Sequence, residues 1–208
     1  MGVTNLALFL VASIALILAP GPDSLYVLAR GLGQGRRAGI IAALGTTSGL
    51  LTHTTLAALG LAVLLQTSEI AYTLVRVGGA LYLIYLGVRA LLSRERLAFS
   101  ASATASSPRR MYLQGLFTNV LNPKVALFFV AFLPQFVDPH APSFALSMLL
   151  LGALFAALGL AYLTLVGLLA GALGRALLSR PRVAGAIRWI TGGVLIGLGL
   201  RLLIPERR

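Results

Sequence analysis

Apolar residues run along this chain in stretches too long and too uniform to be one face of a soluble helix. A helix crosses a bilayer in roughly 20 predominantly apolar residues. Six stretches reach about that length: 6–30, Ala38–Leu64, Ile70–Leu92, Met111–Val137, Phe144–Ala172 and Ile187–Ile204. Short turns separate most of them: a basic, glycine-rich one with Gly31, Gly33, Gly35, Arg36 and Arg37, a polar one over Gln66–Glu69, and a proline-rich one over Asp138–Pro142. One connection is longer, Ser93–Arg110, rich in Ser and Ala between arginine clusters. The pattern predicts an all-α membrane protein of six transmembrane helices.

Two of the six stretches are interrupted. The first carries Ala19-Pro20-Gly21-Pro22-Asp23, and the fourth carries Asn119-Val120-Leu121-Asn122-Pro123-Lys124. Proline cannot donate to the helix ladder, and its ring clashes with the turn before it. Backbone groups freed at membrane depth need protein, ligand or trapped water as partners, so a broken span is expected where it lines a cavity. The second break falls about 12 residues into its span, close to the bilayer midplane at ~1.5 Å per residue. A pair of such breaks at corresponding points of two halves is the sequence pointer to a secondary transporter's binding site.

Composition supports the membrane reading. The chain is 58% hydrophobic with a mean hydropathy of +0.94 and only 11% charged residues, whereas soluble domains are about 45–50% apolar. The net charge of +12 would point to nucleic acid in a soluble protein. Here the basic residues are scattered through short turns with no basic helix face, so no nucleic-acid partner is expected. Arg30, Arg36 and Arg37, then Arg89, Arg94, Arg96, Arg109 and Arg110, then Arg175, Arg180, Arg182 and Arg188 mark three of the five turns. By the positive-inside rule those turns are cytoplasmic and both termini extracytoplasmic. Arg201, Arg207 and Arg208 run against that assignment.

An odd number of spans per half requires a duplication to be inverted. Broken span one matches broken span four, and small-faced span two matches span five. Gly79–Arg89 also echoes Gly193–Arg201. The expected organisation is a first three-helix repeat over 1–92, a cytoplasmic linker over 93–110, and a second three-helix repeat over 111–208, in one membrane domain.

Candidate chemistry lies at the breaks. The backbone of Pro20, Gly21, Pro22 and Pro123 is open there. Asp23 stands where the start of a half-helix favours an anion; it either binds a substrate ammonium or coupling proton, or acts only as a helix cap. Lys124 follows the second break and would meet a substrate carboxylate or pair with Asp23. Asn119 and Asn122 offer amides about a turn apart, for the solute or for capping. His53, on the small-residue face Ala42, Gly45, Thr46, Gly49 of span two, suits a proton relay because imidazole titrates near neutrality, or packs with one ring nitrogen on a carbonyl. Arg76 is expected to snorkel to the outer interface, and Tyr82, Tyr85 and Tyr162 to pack between helices.

These motifs carry a family resemblance. Leu18-Ala19-Pro20-Gly21-Pro22-Asp23 with Gly33–Gly39, the stretch Gly79–Gly87, and above all Asn119–Phe129 continuing to Phe132-Leu133-Pro134-Gln135-Phe136-Val137 resemble the lysine exporter superfamily, in its homoserine/threonine resistance branch. The resemblance spans nearly the whole chain. It implies an inner-membrane exporter of amino acids or small derivatives with six spans in two inverted repeats, driven by the proton gradient as an antiporter. Asp23, Lys124, Asn119, Asn122 and His53 would line the substrate and ion path.

Other classes fit less well. His-Glu-x-x-His is absent, there are two histidines and no cysteine, and Ser24 has no base nearby in sequence, so neither an enzyme nor a metal site is expected, and no cofactor. A channel or non-transporting scaffold subunit is the alternative to a carrier. The small-residue faces of spans two, five and six would serve a homodimer as well as the bundle interior.

Overall fold

The computed structural model of the protein describes residues 5–19, 21–67, 69–92, 106–138, 141–170, 172 and 181–203. Pro20, the linker as far as residue 105, Arg175, Arg180, Arg207 and Arg208 lie outside the described residues. Those described are all helical, without strands. Helix α1 (Leu6–Leu18) is followed by α2 (Pro22–Gln34), α3 (Arg36–Thr67) and α4 (Glu69–Leu92); then come α5 (Pro108–Val120), α6 (Pro123–Leu127), α7 (Phe144–Leu168) and α8 (Pro181–Leu203). Between α6 and α7 the chain winds as a π turn, Phe128–Phe132, and a 3₁₀ turn, Leu133–Phe136.

The elements start and stop for local reasons. Asn5 caps α1 through its side chain, 3.2 Å from the Leu8 N–H, and Ser107 accepts from the Arg110 N–H at the start of α5. Pro22, Pro108 and Pro123 all open helices, where a missing N–H costs nothing. Pro134 explains the widened turn before it: with no N–H and a ring that crowds the carbonyl four residues back, it cannot extend an α-helix. The Gln135 side chain returns one donor, to the Ala131 carbonyl at 3.2 Å.

Sequence boundaries shift in several places: α5 starts at Pro108, inside the expected linker, and α3 runs on to Thr67, through half of the expected polar turn. α2 continues through Gly31 and Gly33 to Gln34, and the turn shrinks to Gly35, whose φ of 84° suits glycine. Gly31 is a packing residue, not a turn residue, since a Cβ there would lie 2.9 Å from the Gly167 carbonyl oxygen. α8 begins at Pro181, six residues before the expected start of span six.

α3 packs along α5 and α7, α2 rests on α3, and α4 pairs with α8. Glycines set the closest approaches: Gly45 faces the Tyr112 backbone, Gly115 faces Ala42 and Thr46, and Gly39 faces Gly167. The small-residue face expected on span two is therefore spent against α5. Phe9, Phe128, Phe129, Phe132, Phe136 and Phe155 are buried in one cluster, with Phe128 stacked on Phe155 at 4.6 Å. Another set of apolar side chains, Leu56, Leu59, Leu121, Val11 and Trp189 among them, points outward instead, the surface that a hydrocarbon solvent calls for.

Among the described residues α7 is by itself long and apolar enough to cross a membrane. The pair α1–α2, bent by 51°, and the pair α5 with Pro123–Phe136, bent by 49°, each pass as a single broken span.

Candidate functional site

Both breaks are best understood from the prolines outward. In an α-helix the N–H of each residue serves the carbonyl four positions earlier. Pro20 therefore leaves the Leu16 carbonyl without its donor, and Pro123 does the same to Asn119. Such carbonyls, once buried, need a partner. Lys124 Nζ donates to the Leu16 oxygen at 3.1 Å and to the Ala19 oxygen at 2.9 Å, so an ammonium from one break closes the C-terminal end of α1 at the other. That is the negative end of the half-helix, where a cation is favoured. His53 Nε2 lies 3.2 Å from the Asn119 oxygen, and because a carbonyl only accepts, Nε2 carries the hydrogen. The Asn122 N–H shares that oxygen at 2.9 Å.

The far sides of the breaks are held locally. Gly21 is the N-cap of α2; its N–H donates to Ser24 Oγ at 3.1 Å, and that hydroxyl donates back to the Gly21 oxygen. Asn122 caps α6, its Oδ1 accepting from the Lys124 N–H at 3.1 Å. Gly21 and Ser24 thus perform the capping that the sequence allowed for Asp23. The Asp23 carboxylate is left to point across to the other break, where Oδ2 accepts from Asn119 Nδ2 and Asn122 Nδ2, both at 3.0 Å.

The two breaks are cross-braced. A carboxylate from the first holds two amides of the second, and an ammonium from the second holds two carbonyls of the first. Asp23, Asn119, Asn122 and Lys124, 96 or more residues apart in sequence across the brace, form one cluster, with His53 behind it stacked on Phe129 at 5.9 Å. Asp23 and Lys124 stand in the same cluster without a direct ion-pair contact, the hydrogen bonds of the ammonium going to the α1 carbonyls. Pro20 lies outside the described residues.

A cavity of about 40 Å³ opens beside this cluster. Asp23, Asn119, Lys124, Thr46, Ser24 and Tyr162 supply its polar groups, while Leu16, Ile17, Leu50, Val125, Phe155 and Leu163 make it apolar elsewhere. His53 and Asn122 stand behind the wall, not in it. One side therefore suits charges of both signs, and the other suits hydrocarbon.

A second set of contacts escaped sequence reading. Tyr26 Oη donates to the Met111 oxygen at 2.7 Å, and Arg30 Nη2 donates to Gln114 Oε1 at 2.6 Å. Arg30 Nη1 also reaches Ser106 Oγ at 3.3 Å, and the Ser106 N–H donates to Gln34 Oε1 at 3.1 Å. Tyr26, Arg30 and Gln34 are spaced four apart, one face of α2, which was the available signal. This clasp ties the end of α2 to the start of α5, so the exposed arginines at 36, 37, 109 and 110 gather at one end of the molecule.

Comparison with known proteins gives the same picture. The family described as LysE type translocator matches residues 14–206. The chain is 32% identical over 202 residues to the leucine efflux protein of Enterobacter sp. (strain 638), covering 97% of this chain and 96% of that protein. It is 30% identical to the leucine efflux proteins of Salmonella typhimurium (strain LT2) and Klebsiella pneumoniae, each over 97% of this chain and 95% of the relative. No solved structure matches. The resemblance to the lysine exporter superfamily rests on residues at both breaks and holds over nearly the full length, so the chain is a membrane transporter and not an enzyme, and belongs to the LysE type translocator family.

Proposed function

We propose that this protein exports amino acids with apolar side chains, leucine among them, across the inner membrane by alternating access. The observation that carries this reading is the cavity between the breaks, where a carboxylate and an ammonium from opposite halves share a wall with hydrocarbon side chains. A zwitterion with an aliphatic side chain has matching poles. The names of the leucine efflux relatives agree with that substrate class. At about 40 Å³ the cavity has room for a few waters, so in this reading an amino acid enters only when the halves tilt open about it.

In this reading the chain has six spans in two inverted three-helix repeats, 1–92 and 111–208, with 93–110 as a cytoplasmic linker and both termini outside. Lys124 exchanges the α1 carbonyls for the substrate carboxylate, and Asp23 takes the substrate ammonium while its Oδ2 keeps the Asn119 and Asn122 amides. His53 holds the second break open, and Asp23 is the proton-exchanging group of an H+ antiport. Of the small-residue faces, those of α3 and α7 are used within the bundle, which leaves Gly193 and Gly197 of α8, with nothing against them, as the face for a homodimer. A solute can shift such an equilibrium only by binding its states unequally.

Leucine flux in proteoliposomes tests this. Flux that saturates and responds to an imposed pH gradient is expected, and Asp23→Asn is expected to abolish it at equal protein content. Equal flux in Asp23→Asn and wild type removes Asp23 from the mechanism.

A further inference from the structure

Three buried oxygens on residues that line the cavity have no protein partner: Asp23 Oδ1, Asn119 Oδ1 and Thr46 Oγ1. Thr46 and Asn119 are fully buried, and all three residues line the same cavity. An unpaired polar group in such surroundings is costly, so each orientation needs a cause.

For Asn119 the cause is its own bond. A carboxylate can only accept, so the amide nitrogen must face Asp23, and Oδ1 is turned away from it. Gly49 leaves it room there, since a Cβ at that position would lie 2.6 Å from Oδ1. Asp23 Oδ2 takes both amides, which leaves Oδ1 over. Thr46 is the informative one. In an apolar helix a hydroxyl normally donates to the carbonyl four residues back, and on α3 Ser48, Thr52, Thr54 and Thr55 all do so, at 2.8–3.0 Å. Thr46 does not. Its neighbour Thr47 is also unpartnered but does not line the cavity.

We propose that Asp23 Oδ1, Asn119 Oδ1 and Thr46 Oγ1 together form a subsite for a primary ammonium group, the α-ammonium of the transported amino acid, with Thr46 as a direct ligand. The stoichiometry is that of the ligand: an ammonium has three N–H donors, and the subsite has three acceptors, one of them charged. The subsite rests on the export reading for its occupant, and it leaves Lys124 for the carboxylate and Leu50, Phe155 and Leu163 for the side chain.

Two measurements on the purified full chain test it. In proteoliposomes Thr46→Val is expected to raise KM for leucine about tenfold, the loss of one charge-assisted hydrogen bond, with kcat within about twofold of wild type. Thr46→Ser, which keeps the hydroxyl, restores KM. Competition by 4-methyl-2-oxopentanoate, which lacks the ammonium, is unchanged in Thr46→Val. In detergent, isopentylammonium chloride is expected to raise the melting temperature of wild type but not of Thr46→Val, while choline chloride and NaCl raise neither; Thr46→Ala replaces the valine variant if that does not fold. The subsite is overturned by an unchanged KM, by equal losses of amine and oxo-acid competition, or by Thr46-dependent stabilisation from NaCl equal to that from the amine. If wild type moves no leucine yet the amine stabilises it through Thr46, the export reading falls and the subsite stands.

Discussion

The two breaks solve the same backbone problem with different chemistry. At the first, a proline orphans Leu16, and the repair is a full positive charge that also collects the Ala19 carbonyl. At the second, a proline orphans Asn119, and the repair is an imidazole N–H with help from the Asn122 backbone. In both, the donor comes from the other half of the chain. The difference is one of strength and of freedom. Charge-assisted bonds are about twice as strong as neutral ones, but the ammonium lines the cavity, where under the proposed function a solute carboxylate would draw it away, whereas His53 sits behind the wall. In the proposed mechanism the first repair is exchangeable and the second is fixed.

Breaking the exchangeable repair should have the larger effect. Lys124→Met removes two hydrogen bonds from a charged donor and is expected to cost about 3 kcal/mol of stability, with loss of leucine flux. Thermal unfolding in detergent beside a proteoliposome assay reads both. Retained flux in Lys124→Met would make the ammonium a structural cap only.

The fixed repair predicts a different outcome. His53→Leu should cost about 1–2 kcal/mol, yet the folded fraction should still transport. Pro123→Ala returns an N–H to the position that serves Asn119, so the cost of His53→Leu should shrink by about 1 kcal/mol in that background. A double-mutant cycle of melting curves measures the coupling, and strict additivity would separate His53 from the proline.

The smallest effect belongs to the clasp. Tyr26→Phe removes one hydrogen bond to the Met111 carbonyl, about 1 kcal/mol, and loosens the arginine-bearing end only. Because the chain has no cysteine, single thiols placed at 32 and 113 report that end alone. Faster labelling in Tyr26→Phe with a melting temperature lowered by only a few degrees is the expected result, and equal labelling rates would show the clasp to be packing.

How much of this was legible in the sequence follows from the same chemistry. Prolines inside apolar runs announce orphaned carbonyls, so residues beside them were found by rule. Asp23, Asn119, Asn122, Lys124 and His53 do gather in one place. What the rule could not supply was the partner of each group. Lys124 looked like a mate for Asp23 because opposite charges attract, but two carbonyls at a helix end competed better. Gly31 looked like a turn residue because a close backbone contact and a flexible joint use the same residue type. Thr46 was indistinguishable from the four hydroxyls around it, since only coordinates reveal which of them lacks a bond. The clasp had a signal, three polar side chains on one face of α2, but its other jaw, Gln114 and the Met111 carbonyl, lies far along the chain.

The crossed repairs also restrict how the molecule can move. Each half of the bundle holds shut a helix end that belongs to the other, so drawing the halves apart at that depth would strip several backbone carbonyls at once. Tilting about that depth leaves the bonds nearly unstretched while the ends of α2 and α5 swing widely. If the halves rock as proposed, the polar knot is the fulcrum, and the clasp, far out along the lever, is where a small force opens the widest gap.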